Sequence, residues 1–176
     1  MPQKIYALVY HEPLFAAHWS LWIPQIDPSG REKHIGDRIH ATGDRLNGFV
    51  YEYDRDYNIK EDDRHPSRFP IASVPEQHLS AHDADTSDPS PVNDLDAACQ
   101  KVPAPGPSLN KVAASSDKGA KNLQRPKKAE VKDCQWWIEQ VVPHLVSEGI
   151  LLALEGEDHA DHAEAIMAKV KDLPRH

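Results

Sequence analysis

The sequence has little cysteine, no long apolar run and no excess of basic charge. Only Cys99 and Cys134 occur among its 176 residues, which excludes a disulfide framework and favours a reducing compartment, the cytoplasm. No stretch approaches the roughly 18 apolar residues that a membrane span needs, and the N-terminus lacks the apolar run of a secretory signal. The formal net charge of −8 argues against general nucleic-acid binding.

The first third of the chain predicts an antiparallel meander. Short segments that are rich in β-formers and bounded by turn residues predict four strands, at residues 4–10, 17–23, 37–42 and 49–53. Residues 24–36 are expected to form a long turn because they contain two prolines and two glycines.

Two histidines lie between apolar neighbours in the second and third predicted strands. Alternation puts His18 and Trp22 on one face of the second strand, with Trp19 on the other. A hairpin register centred near Gly30 would place His18 and His40 diagonally across from each other on a shared face.

Between residues 60 and 130 the chain becomes rich in Pro, Ser and Asp and then in Lys. Such a composition buries too little apolar surface to offset the entropy of ordering. We therefore expect a linker that is mostly loop or disorder, with one further strand or extended segment around Ile71. Cys99 lies in this part and is expected to be an incidental exposed thiol.

A helical segment is predicted from residue 131 to residue 176. Asp133 is a favoured N-cap, so a helix is expected to begin at Cys134, with Pro143 either kinking or ending it. A second helix is predicted at residues 157–173. The expected architecture is one α+β domain, in which residues 1–59 form the sheet, 60–130 the linker, and 131–176 the helical part that packs on the sheet.

Cys134 is the candidate nucleophile. The first turn of a helix offers unpaired N–H groups and the positive end of the dipole, which favour a thiolate. If the helix packed over the face of the two histidines, His18 would accept the thiol proton and His40 would orient its ring. The alternative is that Cys134 is a core residue and that both histidines are structural.

The remaining patterns predict no cofactor and no metal. Trp22 and Trp137 are candidates for a substrate-binding wall, although such rings are more often part of a core. His159 and His162 are three residues apart, and a solvated helix face explains them better than a metal site. No Walker, G-x-G-x-x-G or G-x-S-x-G motif occurs.

Three motifs together carry a family resemblance: H-W-S-L-W-I, then I-H-A-T-G, and much later D-C-Q-W-W-I. They resemble the lecithin-retinol acyltransferase group of the NlpC/P60 superfamily, which has permuted papain-like folds; the wider pattern is also similar to small uncharacterised fungal proteins. The resemblance implies His18 as base, His40 as third polar member and Cys134 as nucleophile.

The expected function is a thiol-dependent acyl hydrolase or acyltransferase that acts on a small-molecule or peptide acyl substrate through a Cys134 acyl-enzyme. The alternative is a non-catalytic binding or accessory protein of a biosynthetic pathway on the same scaffold.

Overall fold

Five strands form one antiparallel sheet in the order β4-β3-β2-β1-β5. The computed structural model describes residues 1–81, 91–108, 131–156 and 161–176. The strands are β1 (Gln3–Tyr10), β2 (His18–Ile26), β3 (Glu32–Asp44), β4 (Gly48–Asn58) and β5 (Ser67–Val74). The helices are α1 (Asp94–Gln100), α2 (Cys134–Ser147) and α3 (His162–Lys171), with a 3₁₀ turn at Glu76–His78. The predicted α+β class and antiparallel sheet are confirmed.

The prediction of a long turn at residues 24–36 is wrong. Strand β2 runs on to Ile26 and β3 begins at Glu32, so only a short turn separates them. Pro24 is tolerated because the β2–β3 register shifts between Pro24 and Ile26, and a bulge removes the need for a ladder N–H there. Asp27 closes the turn by accepting hydrogen bonds from the backbone N–H groups of Ser29 and Arg31.

The further strand expected around Ile71 is confirmed: it is β5, which pairs with β1, and the Ile71 side chain is fully buried. The prediction that the rest of residues 60–130 is mostly loop or disorder is wrong for α1. Helix α1 buries Leu95 and Cys99 against the core, so Cys99 is not the exposed thiol expected. Apolar residues four positions apart give α1 one buried face, and Asn93 caps its start by accepting the Asp96 N–H. Residues 82–90 and 109–130 lie outside the described residues.

The main core lies between the helices and one face of the sheet. Trp19, Leu21 and Ile23 of β2 pack in the same cluster as Trp137 and Ile138 of α2. The opposite face carries a smaller cluster, which consists of Tyr6, Leu8, Tyr10 and Trp22 with Tyr57 and Ile59. Helix α2 therefore packs on the face opposite to that of His18, and the prediction that it covers the histidines is wrong. The reason is that alternation gives the Trp19 face the larger apolar area to bury.

Helix α2 begins and ends on recognisable signals. The Asp133 side chain accepts the Gln135 and Trp136 N–H groups, which confirms the predicted N-cap. The helix continues past Pro143 to Ser147, and Gly149, with a φ of +72°, follows its C-cap. Helix α3 is shorter than predicted and begins after the capping Asp161; residues 157–160 lie outside the described range.

None of the helices in the described parts of the chain is long and apolar enough to cross a membrane.

Candidate functional site

His18 and His40 are brought together by the pairing of β2 with β3. The register pairs Leu21 with Ile39 and Trp22 with Arg38, which is the register centred near Gly30 that the sequence predicts. His18 begins β2, and its Nε2 lies 2.9 Å from Nδ1 of His40. The predicted diagonal contact between the two rings is therefore confirmed.

Two carboxylates of β4, which the sequence analysis missed, extend this contact. Glu52 is the register partner of His40, and its Oε2 lies 3.0 Å from His40 Nε2. Asp54 is two residues further on, with Oδ2 at 3.5 Å from the same nitrogen. Asp54 Oδ2 also accepts a hydrogen bond from Arg38 Nε at 2.7 Å. The alternation in F-V-Y-E-Y-D, which puts Glu52 and Asp54 on one face, was the available signal.

Both imidazoles are neutral at physiological pH. Burial, together with the nearby His40 and Arg38, lowers the pKa of His18 to about 3. Burial and Arg38 also lower the pKa of His40, while Asp54 and Glu52 oppose that change. A neutral ring keeps one nitrogen lone pair, so it can accept a proton.

The Cys134 sulfur lies at the start of β2 although α2 packs on the other face of the sheet. Its Sγ is 3.9 Å from the Ala17 carbonyl oxygen, which accepts from the S–H group. The backbone N–H of Trp19 also interacts with the sulfur. Because Ala17 and Trp19 flank His18 in the chain, the sulfur lies against the backbone that carries His18.

The Cys134 thiol is not activated in this form. Burial raises its pKa to about 11 and Asp133 contributes, while the backbone N–H groups of Trp19, Gln135 and Cys134 itself act in the opposite direction. The expectation that the helix start would produce a thiolate is therefore wrong for this state, because the sulfur is only 7 % exposed. Within the described part of the chain, no hydrogen bond joins the sulfur to an imidazole.

A cavity of about 730 Å³ joins the two groups, because both His18 and Cys134 line it. Its other walls are mostly apolar and come from the β1–β2 loop, the adjoining ends of β3 and β4 with the turn between them, the start of α2 and the last residue: Leu14, Phe15, Ala16, Gly43, Asp44, Arg45, Leu46, Phe49, Asp133 and His176. At its rim the side chains of Leu14 and Phe15 are 86 % and 72 % exposed. The lining cation Arg45 is paired with Asp133 at 2.7 Å. The cavity therefore suits a mainly apolar group placed beside the sulfur.

The C-terminal residues hold the site together. Gln135 Nε2 donates to the Ala17 carbonyl at 2.8 Å and to the Arg175 carbonyl at 3.1 Å. The Ala17 N–H donates to the same Arg175 carbonyl at 2.8 Å, and Trp19 Nε1 donates to the Pro174 carbonyl at 2.8 Å. The start of β2 and the start of α2 are thus both hydrogen-bonded to the same C-terminal segment, Pro174 and Arg175. Sequence reasoning missed this contact because its partners are some 40 to 160 positions apart in the chain.

Neither tryptophan predicted as a substrate wall lines this cavity. Trp22 is fully buried in the smaller cluster, on the face of the sheet away from α2, where its ring packs beside that of Tyr6. Trp137 is fully buried in the main core, packs beside Tyr51 and donates from Nε1 to the Val102 carbonyl. Both rings are packing residues, and the cavity takes its apolar walls from other side chains instead.

Among the described residues, one group has ligand atoms close enough to hold a metal ion: His40, Glu52 and Asp54, within 4.8 Å of one another. His40 is engaged on both ring nitrogens, and Arg38 is bonded to Asp54. A cation would have to displace these contacts. The arrangement therefore fits a hydrogen-bonded chain better than a metal centre.

Comparison with known protein families gives a match that covers most of the chain. A family model whose description is a family of unknown function, DUF6540, matches residues 5–152. The matched range includes His18, His40, Glu52 and Cys134, whereas Arg175 lies beyond it. No curated protein and no solved structure matches the chain.

Proposed function

The chain belongs to the family of unknown function DUF6540, and we propose that it is a thiol-dependent acyl hydrolase or acyltransferase. Cys134 forms the acyl-enzyme, His18 is the base and His40 orients His18. One observation carries the proposal: His18 and Cys134 line one cavity, while the other side of the His18 ring is bonded to His40. The substrate is a small-molecule or peptide acyl compound whose mainly apolar acyl part fits the cavity.

The acylation step follows from this arrangement. The Cys134 sulfur attacks the carbonyl carbon, and the thiol proton passes to His18 Nδ1, the ring nitrogen that does not contact His40. Collapse of the tetrahedral intermediate breaks the bond to the leaving group, which takes the proton from His18. Water or an amine then attacks the thioester and gives its proton to His18. The thiolate of Cys134 leaves and recovers that proton.

Proton transfer must accompany sulfur attack because both partners are neutral at rest. The pKa of Cys134 is raised to about 11 and that of His18 is lowered to about 3, so a thiolate–imidazolium pair is not formed beforehand. The backbone N–H of Cys134 is a candidate oxyanion donor, since the Asp133 side chain caps the next two N–H groups instead.

The order of elements supports a permuted papain-like arrangement of the lecithin-retinol acyltransferase kind. The strands that carry the histidines precede the cysteine helix in the chain, and that helix packs against the sheet. We also propose a cytoplasmic location, since both cysteines are free thiols and a reducing compartment preserves them.

A second candidate is a binding or accessory protein on this scaffold, without covalent chemistry. The observation that favours it is the burial of Cys134, whose raised pKa keeps the sulfur protonated. In this case the cavity holds its ligand by apolar contact alone.

Acyl-enzyme trapping separates the two candidates. The protein is incubated at pH 7.5 with p-nitrophenyl esters of two, four and eight carbons, and the acyl adduct is located by intact-mass and peptide mass spectrometry. Cys99→Ala is the matched control, because it removes the other thiol of the chain. An adduct on Cys134 that persists in Cys99→Ala and forms at least about 100-fold more slowly in His18→Gln supports the enzyme. Absence of any Cys134 adduct refutes it and leaves the binding protein.

A further inference from the structure

The side chain of Glu52 lies at the end of a continuous hydrogen-bonded chain that leads to His18. His40 Nε2 lies 3.0 Å from Glu52 Oε2, which accepts the hydrogen bond, and His40 Nδ1 lies 2.9 Å from His18 Nε2. His40 is buried, whereas the Glu52 side chain is 48 % exposed. This places a carboxylate two hydrogen bonds away from the ring that faces the cavity.

We propose that Glu52 is a positioning residue that fixes the proton arrangement of His40 and His18 and leaves His18 Nδ1 as the basic atom. The inference rests on the proposed function, because it concerns the base of that reaction. It adds a fourth residue, on β4, to the three that the sequence motifs suggest.

The arrangement of protons follows from what each group can donate. An ionised carboxylate only accepts, so His40 Nε2 must carry the proton shared with Glu52. A neutral His40 then has a lone pair on Nδ1, which accepts from the Nε2–H of His18. A neutral His18 that is protonated on Nε2 has its lone pair on Nδ1. The chain from Glu52 therefore determines which nitrogen of His18 is free to take the thiol proton.

Glu52 carries this role better than Asp54, the other carboxylate nearby. Asp54 Oδ2 lies 3.5 Å from His40 Nε2 and makes closer contacts with Arg38, at 2.7 Å and 2.5 Å. Its charge is therefore largely balanced by a guanidinium. No contact of Glu52 with a cationic side chain occurs among the described residues, so its charge can act on the imidazole chain.

The charge of Glu52 becomes important when His18 is protonated. Transfer of the thiol proton makes His18 an imidazolium, which strengthens the hydrogen bond that it donates to His40. His40 in turn polarises toward Glu52, so each bond of the chain becomes charge-assisted. Loss of the carboxylate should then reduce the formation of the thiolate–imidazolium pair by about tenfold, the effect of one charge-assisted bond.

The test measures proton positions and thiol reactivity separately. Histidine-labelled protein is examined at pH 7 by long-range ¹H–¹⁵N NMR, with the two rings assigned from His18→Gln and His40→Gln. Iodoacetamide labelling of Cys134 is followed by peptide mass spectrometry in wild type, Glu52→Gln and Glu52→Ala. Glu61→Gln is the matched control, because it removes the same charge from an exposed loop position where the carboxylate accepts a hydrogen bond from the Asn58 side chain.

We expect both rings of the wild type to carry their proton on Nε2, and the His40 Nε2–H to exchange at least tenfold faster in Glu52→Ala. We expect Cys134 labelling about tenfold slower in Glu52→Gln and within twofold of wild type in Glu61→Gln. A His40 protonated on Nδ1 overturns the inference. The inference is also overturned if Cys134 is labelled at the wild-type rate in Glu52→Gln but slowly in His18→Gln; that result leaves the proposed function intact. Unchanged labelling in His18→Gln overturns the proposed function as well.

Discussion

Replacing Gln135 by leucine should destabilise the protein by about 1–3 kcal/mol. Gln135 is 5 % exposed, and its Nε2 supplies the 2.8 Å hydrogen bond to the Ala17 carbonyl. Without it, the one hydrogen bond that this carbonyl keeps within the described ranges is the weak S–H contact of Cys134 at 3.9 Å. An orphaned buried acceptor costs about 1–3 kcal/mol. The Arg175 carbonyl also loses its hydrogen bond from Gln135 but retains the one from the Ala17 N–H, which limits the further loss of stability to about a few tenths of a kcal/mol.

Urea unfolding followed by tryptophan fluorescence measures this loss. With a slope of about 2 kcal/mol per molar urea, the midpoint should fall by roughly 1 M in Gln135→Leu. Gln140→Leu is the matched control, because it makes the same change at an exposed position of the same helix and should stay within about 0.5 kcal/mol of wild type. Equal midpoints for the two variants would refute the reasoning that Gln135 ties α2 to β2.

The same variant should loosen the site before it unfolds the domain. In native buffer we expect Cys134 of Gln135→Leu to be alkylated faster than in wild type, since the helix start is no longer tied to Ala17. Cys99 is fully buried in α1 and provides an internal reference for global opening. A parallel rise at both thiols would show that the effect is global rather than local.

Two further predictions concern pH and the cap of α2. The pKa of His18 is about 3 in the folded state and near 6.5 in the unfolded chain, so between these values the unfolded state binds more protons. The burial of a neutral His18 therefore has no pH-linked cost above pH 6.5 and destabilises the fold increasingly as pH falls toward 3, by on the order of 5 kcal/mol. Urea midpoints of His18→Gln should fall less steeply as pH falls than those of wild type, and equal slopes would contradict this origin. Asp133→Ala should lower the free energy of unfolding by about 1–2 kcal/mol, because it loses both the cap of α2 and the ion pair with Arg45. Asp133→Asn retains the cap and should lower it by less than about 1 kcal/mol, as measured by thermal unfolding. Similar losses in the two variants would indicate that the ion pair dominates.

The part of the site that could be predicted from sequence is the part built by local periodicity. Alternation along β2 and a symmetric hairpin register were sufficient to bring His18 to His40, and Asp133 with its following apolar pattern was sufficient to start α2 at Cys134. The first inference uses the alternation of side chains along a strand and one hairpin turn, and the second uses residues that are adjacent in the chain. Such local signals depend little on the rest of the fold.

What could not be predicted depends on which surfaces pack together. The side of the sheet that α2 covers is decided by the total apolar area of all strands and helices, so the helix was assigned to the wrong face. Helix α1 is seven residues long and lies in polar sequence, where composition masks the face that buries Cys99. The contacts of Arg175 join segments that no local pattern relates.

The position of α2 on the opposite face has a consequence for how the site responds to change. The base and its supporting groups, His40 and Glu52, lie on one face of the sheet, whereas Cys134 approaches from the helix layer on the other. The two meet at the start of β2, where the Ala17 carbonyl and the Trp19 N–H contact the sulfur and where His18 and Cys134 line the same cavity. Substitutions on the Glu52 face should therefore alter proton acceptance without moving the sulfur. Substitutions at Gln135 should leave the hydrogen bond between His40 and Glu52 in place and act at the start of β2, where Gln135 bonds the Ala17 carbonyl beside the sulfur. Because Glu52 and Gln135 share no hydrogen-bond partner among the described residues, their free-energy changes should add, and a double variant of Glu52 and Gln135 tests this separation.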